Sequence, residues 1–137
     1  MSYLLDTNAC IALINGAPVA VRDHFHKIVD RGAEIYVSSI VTFELWYGVA
    51  KSARPGLNTQ RLETFLAGPV RVLPFDDEDA GVAGSIRAAL EALGKPIGAY
   101  DLLIAGHALA RQLTLVTANV LEFSRVKGLS WQDWAKP

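Results

Sequence analysis

The chain has 137 residues, of which 51% are hydrophobic and 20% charged, and its formal net charge at pH 7 is −1. This length and apolar content fit one globular domain over residues 1–137 and exclude a disordered chain. A near-neutral charge disfavours an indiscriminate nucleic-acid coater, which would be basic. No apolar run reaches the ~20 residues of a membrane helix, and no basic leader precedes the first one. We therefore expect a cytoplasmic protein with no membrane partner.

The first part of the chain alternates between strand and helix patterns. The apolar run 3–5 predicts a short buried strand, and residues 8–14 predict a short helix. A second helix is predicted over 17–31 from a stripe of apolar residues at helical spacing. The run 35–37 predicts the next strand.

The alternation continues through the middle of the chain. Ser39 is in position to cap a helix that runs to about residue 52. The sequence Arg54-Pro55-Gly56 predicts a break, with another helix over 59–66. A strand at 70–73 and an amphipathic helix at 79–93 follow.

The last part of the chain contains a helix that feeds almost directly into a strand. The helix is predicted over 100–111 and the strand over 113–117, with a short extended run near 129–131. Strands that alternate with helices favour a doubly wound parallel sheet. The sequence therefore predicts a three-layer α/β/α sandwich around a central, mostly parallel sheet of about four to five strands.

Four polar residues that are far apart in sequence are expected at one edge of this sheet. Asp6 directly follows the first strand and Asn119 closely follows the strand at 113–117. Asp101 begins a helix that leads into that same strand, so it lies where parallel strands end. Glu44 lies about one turn into the helix that leaves the second strand, which places it at the same edge. Open α/β folds bind their ligands there.

Carboxylates gathered at one edge repel each other unless a cation neutralises them, which points to a divalent metal. Oxygen ligands without a His or Cys cluster suit Mg²⁺, with Mn²⁺ as a possible substitute. Each residue also has a structural explanation, because Asp6 and Asp101 can each stabilise a helix N-terminus by about 0.3–1 kcal/mol. Glu44 is harder to explain structurally, since an unpaired Glu among apolar neighbours is costly to bury.

The densest acidic run in the chain, Asp76-Asp77-Glu78-Asp79, precedes the helix at 79–93. Capping and the helix dipole account for it without a metal. The three histidines show no metal-ligand spacing, so we expect His24, His26 and His107 to be surface or packing residues.

Four segments, in this order and spacing, resemble a PIN-domain ribonuclease of the VapC toxin type. They cover the start, two helices and the last main strand of the chain. The segments are Leu4-Leu5-Asp6-Thr7-Asn8, Phe43-Glu44-Leu45-Trp46-Tyr47-Gly48-Val49, Tyr100-Asp101-Leu102-Leu103-Ile104-Ala105-Gly106-His107-Ala108 and Val116-Thr117-Ala118-Asn119.

The resemblance implies a metal-dependent endoribonuclease, the toxin of a type II toxin–antitoxin pair. It implies a VapB-like antitoxin that blocks the site, a homodimer, and a structured RNA substrate such as tRNA or rRNA. Asp6, Glu44 and Asp101 match the acidic metal ligands of the family. Many members have an acidic residue where this chain has Asn119, and Glu122, three residues on, is a candidate for the missing charge.

The mechanism expected for such a site is hydrolysis of a phosphodiester by metal-activated water. It predicts products with 5′-phosphate and 3′-hydroxyl ends, and Thr7 and Asn8 would hold Asp6 in place.

Two other functions remain open from the sequence. A phosphatase of the haloacid dehalogenase type also begins with an Asp after its first strand, but it needs a second Asp where this chain has Asn8. The second alternative is a non-catalytic PIN-like binding protein that docks a partner and recognises nucleic acid. Glu44 disfavours it, because a binding module has little use for a carboxylate at that position.

Overall fold

The structure is a computed structural model that describes residues 1–136. Its core is a five-stranded sheet with the order β3-β2-β1-β4-β5, in which every neighbouring pair is parallel. The strands are β1 Ser2–Leu5, β2 Glu34–Ser38, β3 Arg71–Leu73, β4 Thr114–Val116 and β5 Trp131–Gln132.

Helices flank this sheet, as the alternating pattern predicts. Within residues 1–136 they are α1 Thr7–Asn15, α2 Val19–Asp30, α3 Ser39–Ala50, α4 Pro55–Leu66, α5 Asp77–Ala92, α6 Ala99–Ala110 and the short α7 Val120–Phe123. The predicted α/β class and its parallel central sheet are confirmed. No helix in the described part of the chain is both long and apolar enough to cross a membrane.

Strand β1 lies at the centre of the sheet and fixes the position of the residue that follows it. It pairs with β2 on one side and with β4 on the other. Leu4 and Leu5 are fully buried, as are Val37 of β2 and Leu115 of β4. A rigid apolar centre therefore carries Asp6 to the middle of the carboxyl edge.

The cap of α3 differs by one residue from the prediction. Ser38, not Ser39, occupies the N-cap, and its Oγ accepts a hydrogen bond from the Ile40 N–H at 3.1 Å. Ser39 is the first helical residue, and its Oγ accepts from the Phe75 N–H at 2.9 Å. The difference arises because β2 passes into α3 without a loop, so the last strand residue also caps the helix.

Helix α4 begins at Pro55, four residues before the predicted start at 59. Proline suits the first helical turn. Backbone N–H groups there have no acceptor within the helix, so the lack of one costs nothing, and the fixed φ of proline is already helical. The chain breaks instead at Arg54, whose φ of −133° and ψ of 68° are not helical.

Helices α5 and α6 pack unusually closely. A Cβ added to Gly106 would lie 2.6 Å from the Ala83 Cβ and 2.7 Å from its Cα. Such distances are far inside van der Waals contact. Gly106 is therefore required because the backbone of α5 occupies the space of a side chain.

The acidic run before α5 forms the predicted cap and also a partly buried ion pair. Asp76 and Asp79 make a capping box at the start of α5. The fully buried Asp79 carboxylate also accepts hydrogen bonds from Arg111, at 3.0 Å from Nε and 3.2 Å from Nη2. This pair ties the end of α6 to the start of α5, so capping alone was an incomplete explanation.

His107 is a buried packing residue of α6 that joins this helix to the start of α3. Its Nδ1 lies 2.9 Å from the Ser38 Oγ, and its Nε2 lies 3.5 Å from the Asp79 Oδ2. Burial lowers the pKa of His107, more than the neighbouring Asp79 raises it. The neutral ring therefore links the helix that carries Asp101 to the helix that carries Glu44.

Candidate metal centre at the carboxyl edge of the sheet

Asp6 leaves the central strand with its side chain only 5% exposed. The Ala9 N–H donates to its Oδ1 at 2.8 Å, so Asp6 caps α1 as well as facing the edge. Burial raises the pKa of Asp6, while hydrogen bonds from Thr117 and Ala9 lower it less. Negative charge on Glu44 and Asp133 raises it further. Asp6 therefore combines the structural role with proximity to other carboxylates.

Glu44 projects from the second turn of α3 and is half-buried. The Thr7 hydroxyl donates to its Oε1 at 2.8 Å. The sequence led us to expect Thr7 to hold Asp6, but it holds Glu44 instead. Because Thr7 directly follows Asp6, this hydrogen bond ties the start of α1 to α3 and fixes Glu44 beside Asp6.

Asp101 lies in the first turn of α6, also half-buried, and completes the cluster. Its pKa is raised to about 6, first by burial, then by a hydrogen bond and charge repulsion from Glu122, and finally by the charges of Asp6 and Glu44. Three elements that are far apart in sequence thus bring their carboxylates within electrostatic range of one another.

Asn119 lies between the end of β4 and α7, and it contacts the cluster through Glu122. Its Nδ2 donates to the Glu122 Oε2 at 3.2 Å, and its backbone N–H donates to the Thr117 Oγ1 at 2.9 Å. Glu122, the candidate for the charge that the sequence lacks at position 119, thus lies beside both Asn119 and Asp101. Thr117, which bonds to both Asp6 and Asn119, was missed in the sequence, although its place directly after β4 was a usable signal.

The donors at this edge are carboxylate, hydroxyl and amide oxygens, which suit a hard divalent cation. Among residues 1–136, no group of three or more His, Cys, Asp or Glu side chains is arranged as a ready-made metal cage. Charge repulsion keeps uncompensated carboxylates apart, and Mg²⁺ commonly retains waters and uses only one or two protein carboxylates. Burial is the main cause of the raised pKa of Asp101, and the negative charges of Glu122, Asp6 and Glu44, which a cation would neutralise, add to it.

The raised pKa of Asp101 predicts a pH dependence of the stability of the metal-free protein. The folded state holds this proton up to about pH 6, whereas the ordinary pKa of an Asp side chain is 3.8. Folded protein thus binds more protons in that window, so the contribution of Asp101 to stability falls as pH rises through it. Urea unfolding in EDTA at pH 4 and pH 7 measures how far the free energy of unfolding falls as pH rises. This fall should be smaller for Asp101→Asn than for wild type. Equal losses would contradict this prediction.

A family model for the PIN domain matches residues 3–129 of the chain. This range takes in every candidate residue of the cluster. The chain therefore belongs to the PIN-domain family, as the four sequence segments indicated.

Full-length relatives narrow the assignment within that family. The chain is 41% identical over 135 residues to the tRNA(fMet)-specific endonuclease VapC of Shigella flexneri, covering 98% of this chain and 99% of the relative. It is 39% identical to ribonuclease VapC2 of Rickettsia felis, covering 99% and 100% of the two chains. Within the PIN-domain family the chain is thus a VapC-type ribonuclease toxin.

Solved structures agree with this assignment. The structure of VapBC2 from Rickettsia felis, bound to a DNA fragment from their promoter, gives a TM-score of 0.91 at 38% identity and covers 98% of this chain and 99% of that one. DNA-bound VapBC from Salmonella typhimurium gives a TM-score of 0.88 at 40% identity, with 98% of each chain covered. Membership of a nuclease family removes the phosphatase alternative and disfavours a purely binding function.

Proposed function

We propose that this protein is an Mg²⁺-dependent endoribonuclease that cuts a phosphodiester bond in tRNA or rRNA, with Mn²⁺ as a substitute ion. The observation that carries the proposal is the convergence of three carboxylates at the carboxyl edge of a parallel sheet. The pKa of Asp101 supports it, because burial raises this pKa first and Glu122, Asp6 and Glu44 raise it further. A site that concentrates negative charge is suited to a cation and, through it, to a phosphate.

In this proposal Asp6 and Asp101 are the principal metal ligands, and Glu44 binds directly or through water. When bound, the ion would lower the pKa of a water and neutralise charge that develops on the phosphate. Thr7 holds Glu44 in one orientation, since its hydroxyl donates a hydrogen bond to one of the carboxylate oxygens. Asn119 orients Glu122 by the amide hydrogen bond between them.

Partners follow from the proteins that this chain resembles. The structures of VapBC from Rickettsia felis and Salmonella typhimurium each combine a toxin of this kind with its antitoxin. We propose a VapB-like antitoxin for this chain too, and a homodimer of the toxin. We also propose that residues 1–137 act as one PIN-like domain in the cytoplasm, where such an antitoxin and structured RNA would meet it.

The test is cleavage of total RNA by purified protein with Mg²⁺ or Mn²⁺, and with EDTA as the control. We expect cuts at few positions in tRNA or rRNA, with 5′-phosphate and 3′-hydroxyl ends and none in EDTA. Sequencing of the new 5′ ends would identify the target. Products with 2′,3′-cyclic phosphate ends, or cleavage that EDTA does not stop, would refute the proposal.

Thr7→Val should lower kcat by about 10- to 100-fold, the usual cost of removing a group that orients a metal ligand. Valine has nearly the same shape but cannot donate the hydrogen bond to the Glu44 Oε1. The matched control is Thr64→Val, because the exposed Thr64 hydroxyl bonds only within α4, to the Gln60 carbonyl. The measurement is cleavage rate at saturating RNA. Equal rates for both variants would show that Thr7 does not position Glu44.

A further inference from the structure

Two exposed aromatic residues are direct sequence neighbours of carboxylates in the cluster. Phe43 directly precedes Glu44 and is 54% exposed, and Tyr100 directly precedes Asp101 and is 47% exposed. Their ring centroids are 5.7 Å apart with an interplanar angle of 53°. Helices α3 and α6 thus each contribute one carboxylate and, next to it, one ring that meets its counterpart from the other helix.

A third ring and a cation extend this surface along α3. Tyr47 lies four residues after Phe43 and is 59% exposed, and Lys51 lies four residues after Tyr47. Residues at this spacing share one face of a helix, about 6 Å apart along its axis. The Lys51 Nζ lies 4.7 Å from the centre of the Tyr47 ring. We call Phe43, Tyr47, Tyr100 and Lys51 the aromatic row.

Burial in the core does not explain the aromatic row. Most large apolar side chains of this chain lie in the core, whereas these rings leave about half of their surface in water. Clustered exposed aromatic residues beside a reactive centre are typical of a binding surface. The row starts one residue from Glu44 and Asp101 and ends at the positive charge of Lys51, so a strand whose phosphate lies at the cluster could follow it.

We propose that the aromatic row stacks unpaired bases of the RNA beside the scissile phosphate, with Lys51 contacting the backbone. The inference rests on the proposed ribonuclease function and names the residues that would hold the bases beside the cut. Aromatic side chains recognise splayed-out bases of this kind, while paired bases cannot reach them. The positive charge of Lys51 favours a polyanionic strand over a neutral peptide segment as the occupant.

The test compares ring-removing and ring-keeping variants on an RNA oligonucleotide that contains the cleavage site. Phe43→Leu and Tyr100→Leu should each raise KM by about 5- to 100-fold, the range expected for loss of one base stack. Because stacking is equal in the ground and transition states, kcat should stay within about twofold. Tyr100→Phe keeps the ring and should match wild type. Leu93→Ala, which alters an exposed apolar residue of the α5 C-cap, is the remote control.

An abasic RNA separates stacking from an indirect effect on the fold. Removal of the base that contacts the row should weaken binding to wild type by the same factor as Phe43→Leu or Tyr100→Leu. Abasic RNA bound to a ring-removing variant should lose no more affinity than either change alone, because both changes remove the same stacking interaction. Additive losses at every position of the oligonucleotide would overturn the inference.

Other outcomes identify other roles for the row. A fall in kcat with unchanged KM would mean that the rings position the carboxylates, and it would overturn the inference. Variants that cut RNA like wild type but escape inhibition by the antitoxin would assign the row to protein docking and would also overturn it. A wild-type protein that cuts no RNA would overturn the proposed function and this inference together, whereas wild-type cleavage with unaffected variants overturns the inference alone.

Discussion

Asp101→Asn should lower the rate of RNA cleavage by about 1,000-fold or more while the protein stays folded. A bound ion supplies several kcal/mol of transition-state stabilisation, and each 1.36 kcal/mol is tenfold in rate. Asparagine keeps the shape of the side chain but removes the charge that binds the ion. The folded state should not suffer, because the pKa of Asp101 is raised to about 6, so its ionised form is disfavoured in the metal-free protein.

The matched control is Asp30→Asn, since Asp30 is an exposed carboxylate at the end of α2. It should cut RNA at the wild-type rate. Metal titration by calorimetry should show weaker Mg²⁺ or Mn²⁺ binding to Asp101→Asn and to Asp6→Asn, and unchanged binding to Asp30→Asn. Cleavage by Asp101→Asn at the wild-type rate would show that the site assignment is wrong.

The topology could be predicted because local patterns and connection rules agree. Runs such as 3–5 and 113–117 are too apolar and too short to be anything but buried strands, and helices alternate with them. Parallel strands then place their carboxyl ends at one edge. This argument predicted that Asp6, Glu44 and Asp101 lie together. In the structure burial raises the pKa of Asp101 most, and Glu122 and then the charges of Asp6 and Glu44 raise it further.

Side-chain partners could not be predicted in the same way, because they depend on distances of a few tenths of an ångström across elements. Thr7 lies next to Asp6 in sequence, yet its hydroxyl turns to Glu44, 37 residues away. Asp79 has the sequence signature of a cap, and only the packing of α6 reveals its bond to Arg111. Sequence spacing fixes which helix face a residue occupies, not which neighbour its polar atoms reach.

The close contact at Gly106 in the core could not be predicted from the sequence either. Its substitution has the largest expected effect on stability. A glycine within a helix costs about 1 kcal/mol relative to alanine, so the sequence alone makes Gly106→Ala look favourable. The structure instead predicts that Gly106→Ala is destabilising, because the new Cβ would lie 2.7 Å from the Ala83 Cα and 2.8 Å from the Ala83 N. We expect Gly106→Ala to lower the free energy of unfolding by about 2 kcal/mol, the net of overpacking and helix propensity.

Gly81→Ala makes the same substitution in α5, where an added Cβ meets nothing within 4 Å. It should raise the free energy of unfolding by about 0.5–1 kcal/mol, since only the propensity gain remains. Urea unfolding of both variants measures the contrast, and stabilisation by Gly106→Ala would mean that α5 and α6 lie further apart than the structure places them. Since α6 also carries Asp101, a separation of these helices by Gly106→Ala should lower cleavage activity as well, whereas Gly81→Ala should leave it unchanged. The contact between Gly106 and Ala83 therefore connects the stability of the core to the geometry of the carboxylate cluster.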